Sequence, residues 1–277
     1  MRYLLPLLFL FLCVSCDDDD SQSNLPAEDM MNVSYGPDPE QEMDIYLPAN
    51  RGDNTKVIIL VHGGAWYSGS RDAFNYFIPV LKAEFPDYAI VNMDYRLGTI
   101  ASPGYPKQIE DIELLIDHLE SGDYNISDDY AMIGTSAGGH LSLLYAYGHD
   151  EDHDVKAVAS IVGPTDFTDP SYTDNPLYAQ GLVYLVGNVS YDENPELYAE
   201  VSPRTHVDAQ SPPTILFYGG QDPLVPATQS PRLKERLDEF NVYNEHYLYP
   251  NGGHGDWDAA TMLDFQGKLI AFLHAKF

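Results

Sequence analysis

The sequence predicts an α/β fold in which helices flank a mostly parallel, doubly wound sheet. From about residue 34 onward, short apolar segments alternate with helical segments, and several of the short segments are apolar on both faces. Continuous apolar runs of this kind are expected of strands buried in a parallel sheet between layers of helices. Because the 277 residues contain no internal repeat and no second hydrophobic unit, we predict a single folded domain.

Strands are predicted for short segments rich in β-branched and aromatic residues, namely Lys56–Gly63, Tyr88–Tyr95, Tyr130–Ser136, Val155–Gly163, Thr214–Gly220 and Asn244–Pro250. Helical signals lie between these segments. The segment after Pro106 places its apolar residues along one helical stripe, and an apolar helix follows Ser136. The connection over residues 164–213 is long for this type of fold, so we predict that it forms a small cap.

The N-terminal 15 residues are typical of a bacterial lipoprotein signal peptide. One arginine precedes an apolar run that ends at Val14, and the step Val14-Ser15-Cys16 resembles a lipobox with Cys16 as the lipidated residue. The run is shorter than the roughly 20 apolar residues that span a bilayer. Residues 16–33 are acidic and polar without periodicity, which predicts a solvated tether before a folded domain at residues 34–277. We therefore expect an exported lipoprotein at the outer membrane or cell surface.

Charge and cysteine content limit the classes of partner and of chemistry. A formal net charge of −29 repels phosphate groups, so we expect no nucleic-acid partner, and contact with a membrane only through the lipid anchor. Both cysteines, Cys13 and Cys16, lie in the signal segment, which leaves the folded domain without a disulfide or a thiol nucleophile. The run of aspartates at residues 17–20 could offer ligands to calcium, but like charges in a row repel and extend, so we predict no metal site.

A serine lies at the corner between a predicted strand and a predicted helix, in the pattern Gly134-x-Ser136-x-Gly138. A tight turn at this corner points the hydroxyl away from the backbone, and glycines fit on either side because they lack a Cβ atom. The alternative is a serine that only caps the N-terminus of the helix. The placement between strand and helix favours a nucleophile.

A serine hydroxyl is a weak nucleophile and needs a base within hydrogen-bond reach. Of nine histidines, His254 is the best candidate, because it lies in a glycine-rich loop between the last predicted strand and the terminal helix. We expect His62 to anchor the loop that follows the first predicted strand. We expect His140 to pack in the helix that follows Ser136.

The base in turn needs a carboxylate that orients it. Asp222 lies in the turn after the strand Thr214–Gly220, between prolines that fix the loop, and it is our preferred candidate. Asp166, which follows the preceding strand, is the alternative. With Asp222 the order along the chain is serine, aspartate, histidine.

The segment "HGGAW" at residues 62–66 places backbone with few side chains at the end of a buried strand. When a serine attacks an acyl carbon, the carbonyl oxygen gains negative charge, and amide N–H groups directed at it stabilise that charge. Side chains there would obstruct the substrate. We predict that this loop and the amide of Ala137 provide such donors, whereas the alternative is that the glycines only form a tight turn.

Four motifs in this order resemble those of the α/β-hydrolase superfamily: His62–Trp66, Gly134–His140, Gly220–Pro226 and Gly253–His254. Among its branches, the chain is most similar to esterase and lipase-like enzymes with an HGG motif, which include bacterial feruloyl and acetyl-xylan esterases, with kynurenine formamidases related. The resemblance covers roughly residues 43–275. It implies an α/β-hydrolase catalytic domain that needs no cofactor and no metal.

The resemblance also implies a role for each matching residue. The triad would be Ser136, Asp222 and His254, and the oxyanion donors would be the amides of Gly64, Ala65 and Ala137. Many relatives have glycine at the position of Ala65, a change that keeps the amide.

The reaction expected from the resemblance is that of a serine carboxylesterase that cleaves short acyl or feruloyl esters through an acyl-enzyme. Export favours an ester on a polysaccharide, or a small ester outside the cytoplasm, as the substrate. Tyrosines in the cap region could stack on a sugar ring or an aryl group, namely Tyr172, Tyr178, Tyr184, Tyr191 and Tyr198. The alternatives are a peptidase or amidase on the same fold and a non-catalytic glycan-binding surface protein. The sequence does not predict an oligomeric state.

Overall fold

Eight strands form one sheet in the computed structural model, which describes residues 24–277 and, at residues 176–180, the backbone alone. The strands are β1 (Glu28–Ser34), β2 (Glu42–Leu47), β3 (Val57–Val61), β4 (Ala89–Met93), β5 (Tyr130–Thr135), β6 (Val155–Ile161), β7 (Thr214–Gly219) and β8 (Asn244–Tyr249). Their order across the sheet is β1-β2-β4-β3-β5-β6-β7-β8. Strand β2 is antiparallel to both of its neighbours, and the pairs from β4 to β8 are parallel. The predicted fold class is confirmed, and each of the six predicted strands is present.

The predicted end of the tether at residue 33 is wrong, because the sheet begins earlier. Strand β1 starts at Glu28 and pairs with β2 in a register that runs from Glu28 opposite Leu47 to Ser34 opposite Glu42. The strand is mostly exposed and polar, so its sequence lacks the alternation that would distinguish it from a tether. Main-chain pairing with β2 and the packing of Met30 and Val33 on the core hold it in place. The predicted signal peptide and Cys16 lie outside the described residues.

Helices cover both faces of the sheet. They are a 3₁₀ turn (Arg71–Phe74), α1 (Ile78–Glu84), α2 (Lys107–Ser121), α3 (Ala137–Gly148), α4 (Pro170–Thr173), α5 (Pro176–Val186), α6 (Pro195–Glu200), α7 (Pro203–His206), α8 (Gln229–Glu239) and α9 (Ala259–Lys276). Buried side chains of α2, α3 and α8 join one core, together with residues of α4 to α6, and those of the 3₁₀ turn, α1 and α9 join the other. None of the helices within residues 24–277 combines the length and the apolar character that crossing a bilayer requires.

Strand β3 shows why the predicted strands are continuously apolar. Its five residues are fully buried, and they alternate between the two cores: Ile59 contributes to the core on the α3 side, whereas Ile58 and Leu60 contribute to the core on the α9 side. A strand with helices on both faces has no solvent-facing side on which polar residues would be favoured.

The path of the chain through the sheet brings two loops together at the carboxyl ends of the central strands. From β3 the chain crosses to β4 on one side and then returns to β5 on the other side of β3. The loops that leave the carboxyl ends of β3 and β5 are therefore neighbours, at the kind of switch point where open α/β sheets bind ligands. Helices α4 to α7 all belong to the connection between β6 and β7, at residues 164–213, and we refer to this segment as the insert.

Candidate active site

Ser136 occupies a strained turn between β5 and α3, with φ of 52° and ψ of −120°. Its backbone N–H donates to the carbonyl oxygen of Ile161 at 2.7 Å, which ties the turn to β6. The flanking glycines are required by contact with other backbone atoms. A Cβ atom at Gly134 would lie 2.2 Å from the carbonyl oxygen of Gly138, and one at Gly138 would lie 2.0 Å from that of Val61. The turn therefore tolerates only glycine at both positions.

Three side chains that are far apart in the sequence form one hydrogen-bonded chain. His254 Nε2 lies 2.8 Å from Ser136 Oγ, and His254 Nδ1 lies 2.8 Å from Asp222 Oδ2. The other carboxylate oxygen, Oδ1 of Asp222, accepts the N–H groups of Leu224 and Val225 at 2.8 and 2.9 Å. Because Asp222 accepts a hydrogen bond from Nδ1–H, Nε2 of a neutral imidazole is left to accept a hydrogen bond from the serine hydroxyl.

Asp166, the alternative carboxylate, has other partners. Its side chain is fully buried, and Oδ2 accepts two hydrogen bonds from the Arg232 guanidinium, at 2.8 and 2.6 Å. The pairing supplies the positive charge that a buried carboxylate needs. The structure thus brings Asp222 to His254 and leaves Asp166 to hold α8 against the end of β6.

The loop after β3 adopts backbone conformations that non-glycine residues rarely take. Gly64, Ala65 and Trp66 have φ values of 128°, 49° and 67°. The carbonyl oxygen of Trp66 accepts two hydrogen bonds of 2.7 Å, one from the N–H of Gly98 and one from Nε2 of the buried Gln108. These contacts offset the strain of the left-handed residues, which is of the order of 1–3 kcal/mol each.

The same loop lies directly against the serine. A Cβ atom at Gly63 would be 3.2 Å from Cβ of Ser136, and Ala65 lines the same cleft as Ser136 and His254. Ala137, the first residue of α3, begins a helix whose leading N–H groups have no partner within the helix. Of the positions predicted to supply amide donors, Ala65 shares a cleft with the serine and Ala137 directly follows it.

His62 and His140 lie in the packing around the loop, as the sequence predicted. His62 stacks on Tyr95 with ring centroids 4.2 Å apart, and burial lowers its pKa. His140 accepts a hydrogen bond of 3.1 Å from Trp66 Nε1 at its Nδ1, and its Nε2 donates to the carbonyl oxygen of Val201 at 2.7 Å. This pattern fixes His140 as a neutral imidazole that joins the loop to the insert.

Two spaces of different character meet at Ser136 and His254. A cleft of about 620 Å³ lies beside the insert, and a cavity of about 190 Å³ lies on the α9 side of the sheet. Of the tyrosines singled out by sequence, Tyr172 and Tyr184 line the cleft. Tyr191 and Tyr198 instead pack edge-to-face on each other. The side chain of Tyr178 is not described.

A match to a protein-family model shows to which family the chain belongs. The family model BD-FAE matches residues 43–237, which is more than half of the chain. The chain belongs to the BD-FAE family. Its sheet is that of the α/β-hydrolase superfamily, which confirms the resemblance read from the sequence.

Individual relatives of this BD-FAE chain include enzymes of known type. Esterase LipC of Mycobacterium tuberculosis is 29% identical over 242 residues, which cover 80% of this chain and 59% of LipC. A solved structure described as a truncated form of a carbohydrate esterase from gut microbiota has a TM-score of 0.74 and 26% identity, covering 90% of this chain and 98% of its own. Dipeptidyl aminopeptidase BIII of Pseudoxanthomonas mexicana is 26% identical over 72% of this chain and 30% of its own length. The chain thus spans less than two thirds of LipC.

Sequence reasoning missed the apolar residues that line the cavity of the BD-FAE site. Phe74 and Phe77 come from the segment before α1, whereas Trp257 and Phe265 follow His254. The closeness of Trp257 to His254 in the sequence was the available signal. Gln108 was missed as well, and its signal is a polar residue next to the apolar stripe of α2. Within residues 24–277, no group of three or more His, Cys, Asp or Glu side chains could hold a metal ion.

Because His140 is buried as a neutral imidazole, we predict that it makes the free energy of unfolding depend on pH. Desolvation lowers its pKa from the ordinary 6.5 to about 4. Because the unfolded chain takes up this proton at higher pH than the folded chain, the stabilisation is complete above pH 6.5 and is lost as pH falls toward about 4. We expect the loss of unfolding free energy between pH 7 and pH 5, measured with urea, to be smaller in His140→Gln than in the wild type.

The control is His153→Asn, which changes an exposed histidine in a left-handed conformation that asparagine tolerates. The loss of unfolding free energy between pH 7 and pH 5 in this variant should equal that of the wild type. An equal loss of unfolding free energy in His140→Gln and the wild type would contradict the prediction that burial of neutral His140 contributes to the pH dependence.

Proposed function

We propose that this protein is a serine carboxylesterase that cleaves acyl groups from carbohydrate esters through an acyl-enzyme. The observation that carries the proposal is the hydrogen-bonded chain from Asp222 through His254 to Ser136, with both links at 2.8 Å. The names of two relatives, an esterase and a carbohydrate esterase, support ester hydrolysis. The cleft of about 620 Å³ is large enough for a substrate with a bulky alcohol.

In the first half of the reaction, Ser136 Oγ attacks the ester carbon while its proton passes to His254 Nε2. Asp222 stabilises the imidazolium that results. The carbonyl oxygen becomes an oxyanion, and the amides of Gly64, Ala65 and Ala137 are the proposed donors to it. When the carbon–oxygen bond to the alcohol breaks, His254 returns the proton to the departing alcohol oxygen.

In the second half, water replaces the alcohol. His254 takes one proton from the water as the hydroxide oxygen attacks the acyl carbon, and the same amides hold the oxyanion again. Collapse of this intermediate releases the carboxylic acid, and Ser136 recovers its proton from His254. The cycle consumes one ester and one water and produces one alcohol and one acid.

A peptidase or amidase is the second candidate, favoured by the similarity to dipeptidyl aminopeptidase BIII. This chain corresponds to only 30% of that protein. The two candidates differ in the leaving group, so the ratio of rates on p-nitrophenyl acetate and on an amino-acid p-nitroanilide separates them. A panel of acetylated and feruloylated oligosaccharides beside simple aryl esters then tests the carbohydrate substrate, and retention of glycans without turnover of any ester would favour a binding protein.

Replacement of the nucleophile should abolish turnover. We expect kcat of Ser136→Ala on p-nitrophenyl acetate to fall by about 10⁶-fold, because the variant lacks the hydroxyl that lies 2.8 Å from His254 Nε2. A fluorophosphonate probe should label the wild type and the surface variant Ser190→Ala but not Ser136→Ala. Turnover by a folded Ser136→Ala protein comparable to that of the wild type would overturn the mechanism.

The two carboxylates should respond differently to removal of charge. Asp222→Asn should lower kcat by about 10³–10⁴-fold, because the amide cannot hold the imidazole in the required tautomer. Asp166→Asn is the matched control, since it removes an equally buried carboxylate that faces Arg232. It should lower the urea midpoint and leave kcat within a few fold of wild type. A large loss of kcat in Asp166→Asn and a small one in Asp222→Asn would instead identify Asp166 as the carboxylate that orients His254.

We propose further that the protein is an exported lipoprotein anchored at the cell envelope through Cys16. In cells that carry out lipoprotein processing, a fatty-acid probe should label the wild type and Cys13→Leu but not Cys16→Ser. The first variant controls for the loss of a cysteine, because leucine suits its position in the lipobox. Label retained in Cys16→Ser would contradict the anchor.

A further inference from the structure

The cavity on the α9 side of the sheet is built almost entirely from apolar side chains. Six of its lining residues are 5% exposed or less: Phe74, Phe77, Ile133, Ile161, Val162 and Phe265. Trp257 and Met262 add further apolar wall, while Ser136 and His254 lie at the end of the cavity that faces the reacting ester. The cavity therefore opens onto the nucleophile but offers little hydrogen bonding to a ligand.

The floor of the cavity includes a strained residue. Val162 has φ of 49°, and its N–H donates to the carbonyl oxygen of Phe217 at 2.8 Å. A positive φ is a true outlier for a β-branched residue. Such strain is retained where the surrounding structure over-determines it, often at a binding site. Val162 directly follows Ile161, the residue that holds the N–H of Ser136.

The two spaces at Ser136 suit the two halves of an ester differently. Ala65, a proposed oxyanion donor, lines the cleft and not the cavity, so the oxyanion lies on the cleft side. A carbohydrate alcohol has many hydroxyl groups, which would lose their hydrogen bonds among Phe, Ile and Trp side chains. The cleft beside Trp66, Tyr172 and Tyr184 offers aromatic faces and room instead.

Resting on the proposed function, we propose that the cavity is the acyl subsite and that the natural acyl group is apolar and larger than acetyl. An apolar cavity of about 150 Å³ holds a benzene molecule. The 190 Å³ available therefore suits a chain of butyryl size or an aromatic ring, whereas an acetyl group leaves most of it unfilled. The alcohol binds in the cleft.

The proposed acyl subsite is tested by comparing kcat/KM for esters with acyl groups of different length. With p-nitrophenyl esters, each methylene buried should raise kcat/KM about fourfold. Butyrate has two more methylenes than acetate, so the wild type should prefer butyrate by about 16-fold. Met262→Trp fills the cavity from α9 and should reduce the butyrate-to-acetate ratio about tenfold. Tyr76→Ala, at a lining residue that is 61% exposed, widens the cavity and should shift the optimum to longer acyl chains.

The matched control is Leu263→Trp, the next residue of α9, which is 71% exposed and outside the cavity. Its butyrate-to-acetate ratio should equal that of the wild type. A second series keeps the butyryl group and varies the alcohol from methyl to phenyl. The ratio of kcat/KM between these alcohols should be the same in Met262→Trp and the wild type.

Three results would overturn the assignment. They are a wild type that prefers acetate, a butyrate-to-acetate ratio that neither Met262→Trp nor Tyr76→Ala changes, and a Met262→Trp effect confined to the alcohol series. Each of these leaves esterase activity that depends on Ser136 intact. Failure of the wild type to hydrolyse every ester would instead refute the proposed function, so the two failures are distinguishable.

Discussion

Close contact between backbone segments at the start of α3 is the constraint on which the site depends. The turn at Ser136 is pressed against the end of β3, where Gly138 leaves no room for a side chain beside the carbonyl of Val61. This contact fixes the direction of the serine and of the helix behind it. The loop after β3 packs against the same turn. The end of β3 therefore positions both the nucleophile and the left-handed residues near it.

Charge is distributed around this point according to what each carboxylate faces. Asp222 accepts hydrogen bonds from two backbone N–H groups and from Nδ1 of the imidazole, so its negative charge remains available to His254. Asp166 is neutralised by a guanidinium and contributes to packing. Burial alone does not distinguish the two, since neither side chain is more than 1% exposed. The identity of the facing group decides which carboxylate can orient an imidazole.

The sequence predicted those parts of the fold and site that leave a local signal. Buried parallel strands are continuously apolar, and the serine turn requires glycines at fixed spacing, so both were readable from the residues. Strand β1 left no such signal, because an exposed edge strand is polar and is defined by its pairing with β2. The cavity was equally hidden, since Phe74 and Phe265 look like ordinary core residues until distant segments are brought together beside His254.

The direction of β1 determines from which side the folded unit is held. Glu28 pairs with Leu47, and β2 runs antiparallel to β4, so the chain enters the sheet at the end opposite to the carboxyl ends of the parallel strands. A lipid attached upstream of this strand would hold the domain at the end of the sheet where the parallel strands begin. The cleft, which lies at the carboxyl ends of the parallel strands, would then face away from the bilayer.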